Sequence, residues 1–414
     1  MSTSKPKKFP RQNNATEADV LVIGGGLVGG VIALALAAEG LDVAVVDTES
    51  PAHTQKNGRT DGRVSAIAFS SQRLLEGTGA WGALAPFAQP IRHIRVAEAG
   101  TTNFLHYDAD EIGHEFFGFM VENRILRSEL GRLMTGRRDL ALFAPARIAT
   151  LERGAFGVTA NLEDGRRIRA MLAVAADGAG SKTRGDAGIG VAKAGYGQTA
   201  IVCTVRHERP HDSIAHEIFH PAGPFAILPM QGNRSAIVWS ERTTAALLYA
   251  ALDEDAFAEE LTRRAGDFLG AMRLDSPRST YPLSVRFAHR MTAERLVLAG
   301  DAAHALHPVA GQGLNMGLRD AAALADVLGE AKGLGLDLGS GSVIDGYGRW
   351  RRFDNGLMLA MTDGLVRLFS NDIEPLRAMR GFGLSAVNRV PPLRRLFARH
   401  AMGVVGDLPR LMRG

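Results

Sequence analysis

A single cysteine, Cys203, stands in 414 residues. That excludes a disulfide framework and a cysteine-ligated metal site, and it points to a reducing, cytoplasmic compartment. No run of about 18 residues is apolar and free of charge, so no transmembrane helix is expected. The opening residues, MSTSKPKKFPRQNNATEAD, are basic but hold no apolar core of the kind a secretory signal needs. Residues 1–17 are expected to be a polar tail. Charge of one sign is also missing. Lys and Arg number 48 against 44 Asp and Glu, and a net charge of +4 is too mild to imply nucleic acid. There is no internal repeat and no low-complexity tract. What remains is a chain with 46% hydrophobic residues and a mean hydropathy of -0.02, enough to bury large cores. Its length suggests two or three domains of about 150 residues each.

The most informative stretch is LVLAGDAAHALHPVAGQGLNMGLRD, residues 296–320. Leu296-Val297-Leu298-Ala299 has the apolar run of a buried strand. Gly300-Asp301 follows at its carboxyl end, where ligands sit in open α/β sheets. A loop with Pro308 leads to Gly311-Gln312-Gly313 and then to a helix expected over residues 314–328. A glycine loop feeding a helix start offers bare N–H groups and a positive dipole end, which suits an anion. The alternative is a plain turn between strand and helix.

An equivalent unit opens the chain. Val20-Leu21-Val22-Ile23 predicts a strand, Gly24, Gly26 and Gly29 satisfy G-x-G-x-x-G, and an Ala-rich helix runs to about Glu39. Val43-Ala44-Val45-Val46 predicts the next strand, and Asp47 ends it. Strand, glycine turn, helix, strand and acid form the dinucleotide fingerprint in its proper context, without choosing FAD over NAD. Gly333-Leu334-Gly335 lacks a preceding strand and is expected to be a loop. One Rossmann site is therefore expected.

Between these units the pattern changes. Arg63 stands before Val64-Ser65-Ala66-Ile67 and could meet a phosphate or simply be solvated. Residues 118–130 predict a helix start with an apolar stripe, on which Arg124 and Arg127 share a face. Residues 140–176 turn to strands, with a hairpin at Asp164-Gly165, and end at Asp177-Gly178. Residues 199–206 and 215–240 are again strand-like, with 225–229 expected to pair with 235–239. Residues 253–264 predict a helix, and beyond Gly356 the chain looks helical.

Three elements thus stand in order: Gly24 to Asp47, Asp177-Gly178, and Gly300-Asp301 with Gly311 to Asn315. Together they resemble the group A flavoprotein aromatic hydroxylases, which share the para-hydroxybenzoate hydroxylase fold. DGRVSAIAFSSQRLL, MVENRILRSEL, ADGAGSKTR, GPFAILP and GDAAHALHPVAGQGLNMGLRD are similar to one branch, the ubiquinone-biosynthesis hydroxylases. So are TDGLVRLFS at residues 362–370 and AMG at 401–403. The likeness runs from about Asp19 to the C-terminus. Position 47 is Asp where the family often has Glu, and the hydrogen-bonding role survives.

The resemblance implies an α/β protein: a Rossmann-type FAD-binding domain, an inserted β-rich substrate domain and a helical C-terminal region. The expected division gives residues 18–85, 118–190 and 287–355 to the FAD domain, 86–117 and 191–286 to the β-rich domain, and 356–414 to the C-terminal region. By motif, Gly24, Gly26, Leu27, Val28, Gly29 and Asp47 would hold the ADP half of FAD. Arg63 would contact its middle, and Arg127, with Arg124 as rival, would reach it too. Asp177 would shape the centre, Gly300 and Asp301 would bind the ribityl chain, and Gly311, Gly313, Leu314 and Asn315 would face the pyrimidine edge. His307 and Pro308 are candidates lining the flavin. His304 and His307 are three apart but lack a third ligand, so no metal is expected and a structural role is expected for both. Phe225, Ile227, Leu228 and Trp239 are candidates for an apolar wall over the flavin, with ordinary sheet core as the alternative.

The implied function is FAD-dependent monooxygenation of the ring of a polyprenylated phenol in ubiquinone biosynthesis, through a flavin C4a-hydroperoxide, with O2 and NAD(P)H as co-substrates. Hydroxylation of a small soluble aromatic, or a non-catalytic scaffold in a biosynthetic complex, are the alternatives. The C-terminus carries Arg377, Arg380, Arg389, Arg394, Arg395, Arg399, Arg410 and Arg413 among Leu393, Leu396, Phe397 and Met402. A basic amphipathic segment of this kind suits a cytoplasmic membrane surface, or else packs on the protein.

Overall fold

Four apolar strand ends lie side by side at one edge of an eight-stranded sheet, and each leads into one of the expected motifs. The computed structural model describes residues 15–50, 62–101, 104–305, 311–369 and 390–413. Across the sheet run Thr292–Ala293, Leu296–Leu298, Arg167–Ala175, Ala15–Ile23, Val43–Val46 and Leu140–Phe143, all parallel after the first. Ile148–Gly154 and Gly157–Leu162 extend Arg167–Ala175 as an antiparallel hairpin. Val20 to Ile23, Val43 to Val46 and Leu296 to Leu298 are buried on both faces, which is why each reads as an unbroken apolar run.

The helix Leu27–Ala38 covers one face. It lies against the helix Gln312–Gly333 so closely that a Cβ on Gly317 would come 2.5 Å from Val28 Cγ2. On its other flank Gly30 faces Leu130 and Met134 of the helix Asn123–Gly136.

A second, nine-stranded sheet runs His304–Ala305, Ser279–Ala288, Val191–His207, Arg234–Arg242, Gly223–Met230, Ile214–His220, His93–Glu98 and Phe104–Asp108, with Met272–Leu274 beside Val191–His207. Phe225 pairs with Trp239 and Pro229 with Ser235, as the sequence predicts. The helices Thr243–Ala251 and Glu254–Ala265 cover one face of this sheet. The α/β architecture with its inserted β-rich part and helical C-terminal region is therefore observed.

Three local expectations differ. Ala15, Thr16 and Glu17, expected in the tail, are in the first strand, because Arg167 to Arg169 offer them a parallel ladder. Residues 118–122 form the strand Gly118–Glu122 rather than a helix start, pairing with Val64–Ala68 and Gln89–Ile91 in a three-stranded sheet. A Cβ at Gly118 would collide with the Ile67 carbonyl, so glycine permits that close pairing. This small sheet also joins segments on both sides of the expected boundaries at 85/86 and 117/118.

Candidate functional site

The strand ends at Leu298, Ala175, Ile23 and Val46 stand in that order along the edge, about 14 Å from first to last at the usual strand spacing. From them emerge Gly300-Asp301, Asp177-Gly178, Gly24 and Asp47. The expected motifs, far apart in sequence, form one continuous rim.

At the Asp47 end, Gly24 has φ +98°, and a Cβ there would meet the Ala176 carbonyl oxygen at 2.5 Å. Gly29 lies against the Gly24 carbonyl, where no side chain fits. Gly26 is different: a Cβ added to it would meet nothing within 4 Å. It is the N-cap of Leu27–Ala38 and supplies no side chain to take the first-turn N–H groups. With no capping side chain, the first-turn donors are left for an outside acceptor such as an anion. Asp47 accepts the Gly25 N–H on Oδ2 at 2.7 Å and the Glu49 N–H on Oδ1 at 2.8 Å.

The Arg127 guanidinium lies 3.7 Å from Asp47 and 3.0 Å from Glu49. Arg124 turns away to Glu122 at 2.7 Å, so of the two rivals only Arg127 joins the rim. Arg63 is exposed, with its guanidinium 6.0 Å from the Tyr281 ring centroid.

In the middle of the rim Asp177 is already engaged. Ser181 Oγ donates to it at 2.5 Å and the Thr183 N–H at 3.1 Å, so its carboxylate holds the loop beside Gly24. Arg184 donates to the Ala302 carbonyl at 2.8 Å, and Arg286 to the Ala179 carbonyl at 3.0 Å. Arg184 thus ties the Asp177 and Gly300 loops together, while Arg286, which the sequence did not single out, holds the Asp177 loop to the strand Ser279–Ala288.

At the far end Gly300 has φ +58° and sits against Val28. Asp301 is exposed at the rim, yet the walls around it still crowd its carboxyl. Desolvation pushes it above its ordinary value, opposed by His304 and Arg286. The helix Gln312–Gly333 begins at Gly311 in the left-handed conformation, again with no capping side chain and no acid in its first turn. Asn315 fixes this start, donating to the Ala66 and Gly311 carbonyls at 2.9 and 3.2 Å and accepting the Ala68 N–H at 2.9 Å. Gly313 borders open space, and Leu314 packs partly on the main core. His307 and Pro308 lie outside the described residues.

Behind the rim His304, Asp320, Arg351, Asp354 and Arg319 form a linked chain of charges. His304 is thereby a buried partner of Asp320. The sequence signal for Asp320 was available: it interrupts an otherwise apolar helical stripe of Met316, Ala321, Leu324 and Ala325. Away from the rim, His93, His106 and Asp108 cluster on the second sheet, but the Arg95 Nε donates to His106 Nδ1 at 3.4 Å and competes with any cation.

The apolar-wall candidates need correction. Phe225, Ile227 and Trp239 are sealed in a core with Phe257 and Leu261 of the covering helix, away from the rim. Side chains alternate along a strand, so only Leu228 turns to the other side, where it joins Val64 and Ala66.

Comparison with known proteins agrees with this geometry. A family model described as an FAD binding domain matches residues 17–351. The ubiquinone hydroxylase UbiL of Rhodospirillum rubrum is 52% identical over 404 residues, which cover 96% of this chain and 93% of that one. The 3-demethoxyubiquinol 3-hydroxylase of Escherichia coli is 34% identical over 95% of this chain and 100% of its own length. Among solved structures, p-nitrophenol 4-monooxygenase PnpA from Pseudomonas putida superposes with a TM-score of 0.77 at 20% identity, covering 93% of this chain and 98% of that one.

Proposed function

The chain belongs to the FAD-binding family of group A flavin monooxygenases, and on that premise we propose that it hydroxylates the aromatic ring of a polyprenylated phenol in ubiquinone biosynthesis. The observation that carries this reading is the rim itself: two glycine-started helices without capping side chains, with Asp47 at one end and Asp301 at the other. FAD fits it, since Gly26 leaves space where a pyrophosphate would approach and the neighbouring N–H groups await an acceptor. Gly24, Gly26, Leu27, Val28, Gly29 and Asp47 would hold the ADP half, with Arg127 beside them and Asp177 shaping the loop. Asp301 would take the ribityl hydroxyls. Gly311, Gly313, Leu314 and Asn315 would present the helix start to the ring system. Bound there, FAD supplies the passage of two electrons from NAD(P)H to O2 and the delivery of one oxygen atom to the phenol.

The chain's own part is placement and charge. The positive end of Gln312–Gly333 favours negative charge developing next to it. Arg184 and Arg286 hold the loops that close the rim. The proposed division assigns cofactor binding to residues 18–85, 118–190 and 287–355 and substrate binding to 86–117 and 191–286.

No helix among the described residues is long and apolar enough to cross a membrane. A polyprenyl tail nevertheless belongs in a bilayer. The helix Pro391–Ala401 packs Ala398 inward and turns Arg395, Leu396 and Arg399 out, so we take it as the surface that meets the cytoplasmic membrane face. A ubiquinone-biosynthesis complex is the setting this substrate suggests.

The test is purified protein with FAD as its released cofactor, oxidising NAD(P)H only when a prenylated phenol is present and placing one atom of labelled dioxygen in the product. Phenols of graded chain length separate a lipid substrate from a small soluble one. The quinone intermediate that accumulates in a deletion strain names the ring carbon. Protein that binds NADPH tightly and no FAD overturns the reading.

A further inference from the structure

Along the strands Ile214–His220 and Gly223–Met230, alternate residues face opposite sides of the second sheet. Ile218 goes with Phe225 and Ile227 into the core under the covering helices. Ala215 and Leu228 face the other way, into the cluster that contains Val64 and Ala66. Glu217 shares that side. Its register neighbours are Ala226 on one strand and Val96 on the other, and neither side chain can hydrogen-bond. Ala66 in turn accepts from Asn315 at 2.9 Å, and its Cβ lies 3.1 Å from where a Gly311 Cβ would stand. Glu217 is therefore a carboxyl on the sheet side that meets the strand bonded to the Gly311 helix start.

No charged group among the described residues acts on it, and burial alone raises it to about 7. Its side chain is nonetheless only half-buried, so it is reachable from outside the sheet. The titratable side chains sharing its side are Glu98, paired in register with Phe219, Tyr107, which burial pushes up to about 12 against the charge of Arg394 on the helix Pro391–Ala401, and, farther along the sheet, Arg234 and Arg206, both paired with Asp275. His93, Arg95, His106 and His216 occupy the opposite side by register. A carboxyl with no partner among the described residues, on the sheet side that meets the strand leading to the proposed ring site, has one evident use in phenol chemistry.

We propose that the Glu217 carboxylate accepts the proton of the substrate's ring hydroxyl, an assignment that rests on the hydroxylase reading above. The phenolic O–H bond breaks, its electron pair stays on the phenolic oxygen, and the proton joins Glu217. The ring becomes electron-rich enough to take an electrophilic oxygen, and Glu217 later returns the proton to the product. An ordinary glutamate lies about 6 pH units below a phenol, whereas a carboxyl held near neutrality lies only about 3 below, which makes the transfer easier.

The experiment uses the FAD-loaded wild type, Glu217→Gln and Glu217→Asp, each checked first for flavin content, with a short-chain 2-prenylphenol as probe. In wild type, kcat/KM should rise as one proton is lost near neutrality. Glu217→Gln should lose on the order of 10²–10⁴-fold in rate and lose that pH limb. Glu217→Asp should recover part of the rate together with the limb. A flavin-loaded Glu217→Gln protein that keeps the wild-type rate or the limb overturns the assignment while leaving the hydroxylase reading intact. Flavin-loaded wild type that neither binds nor hydroxylates the probe overturns both.

Discussion

Arg351 Nε donates to Asp320 Oδ1 at 2.7 Å, with both side chains sealed from solvent. The other carboxylate oxygen accepts the Gly300 N–H at 2.9 Å and lies 2.7 Å from His304 Nε2. Burial would raise the Asp320 carboxyl, but His304 and Arg351, by charge and by hydrogen bond, overcome it and hold it down at about 2. One buried anion thus anchors the turn before Asp301 to two helices, Gln312–Gly333 and Gly341–Phe369. Tyr347 reinforces the joint by donating to the Leu298 carbonyl at 2.8 Å.

Asp320→Asn should destabilise the protein by about 3–5 kcal/mol, because it strips the counter-charge from a buried Arg351. Asp354 and Asn355 still hold that guanidinium, so the lower end is expected. Flavin content should fall as well, since the Gly300 turn loses its acceptor. The folded carboxyl titrates below its ordinary 3.8, so its stabilisation is complete above about pH 4 and is lost as pH falls through about 2. Denaturant midpoints should therefore separate variant from wild type at pH 7 and converge only in acid. Equal midpoints at pH 7 refute the anchoring role.

Gly26 and Gly29 should fail in different ways. A side chain at Gly26 meets open space, so Gly26→Val should fold with a near-normal Tm and hold no FAD. At Gly29 even a methyl runs into the Gly24 carbonyl, so Gly29→Ala should lower the Tm of the apoprotein itself. Thermal melts with and without added FAD, beside flavin absorbance, distinguish the two. Normal flavin content in Gly26→Val removes the pyrophosphate from this turn.

Asp301→Ala should weaken FAD binding by about 1.5–3 kcal/mol, the range for a hydrogen bond to a charged group, or roughly 10- to 150-fold in Kd. The carboxyl is exposed on the rim, and among the described residues no hydrogen bond of its own ties it into the core. Apoprotein stability should stay as in wild type. Titration of apoprotein with FAD measures the first, and a denaturant curve the second.

The glycine motifs were legible because their logic is local: a strand, a turn without room for Cβ and a helix start lie within a few residues. Which arginine serves the rim was not, since Arg124 and Arg127 share a helix and spacing treats them alike. The choice falls to partners, with Glu122 capturing Arg124 and the Asp47 end receiving Arg127. The apolar wall failed for a related reason. A period of two separates Phe225 and Ile227 from Leu228, but only the helices Thr243–Ala251 and Glu254–Ala265 decide which side is sealed. Asp320 stood visible as a charge in an apolar stripe, yet its partner lies 31 residues away on another helix.

The last prediction concerns the basic C-terminal segment. Arg377, Arg380 and Arg389 lie outside the described residues, so the test rests on the helix Pro391–Ala401. Arg394 is committed to Glu111 at 2.7 Å, and Ala398 and Met402 are buried against the second sheet, so this helix covers a core along one face. Its other face leaves Arg395, Leu396 and Arg399 exposed, with Leu396 at 53% of its full accessibility, enough to enter a lipid headgroup layer. Each cation near an anionic surface contributes about 1 kcal/mol, screened by salt. Arg395→Ala with Arg399→Ala should therefore weaken binding to phosphatidylglycerol vesicles by about 30-fold at low salt. Turnover of a short-chain phenol in solution should be unchanged, because neither residue touches the rim. Flotation measures the first and NAD(P)H oxidation the second. If the wild-type protein stays with the unbound fraction at low salt, this helix does not dock on lipid, and a partner protein must present the polyprenyl substrate.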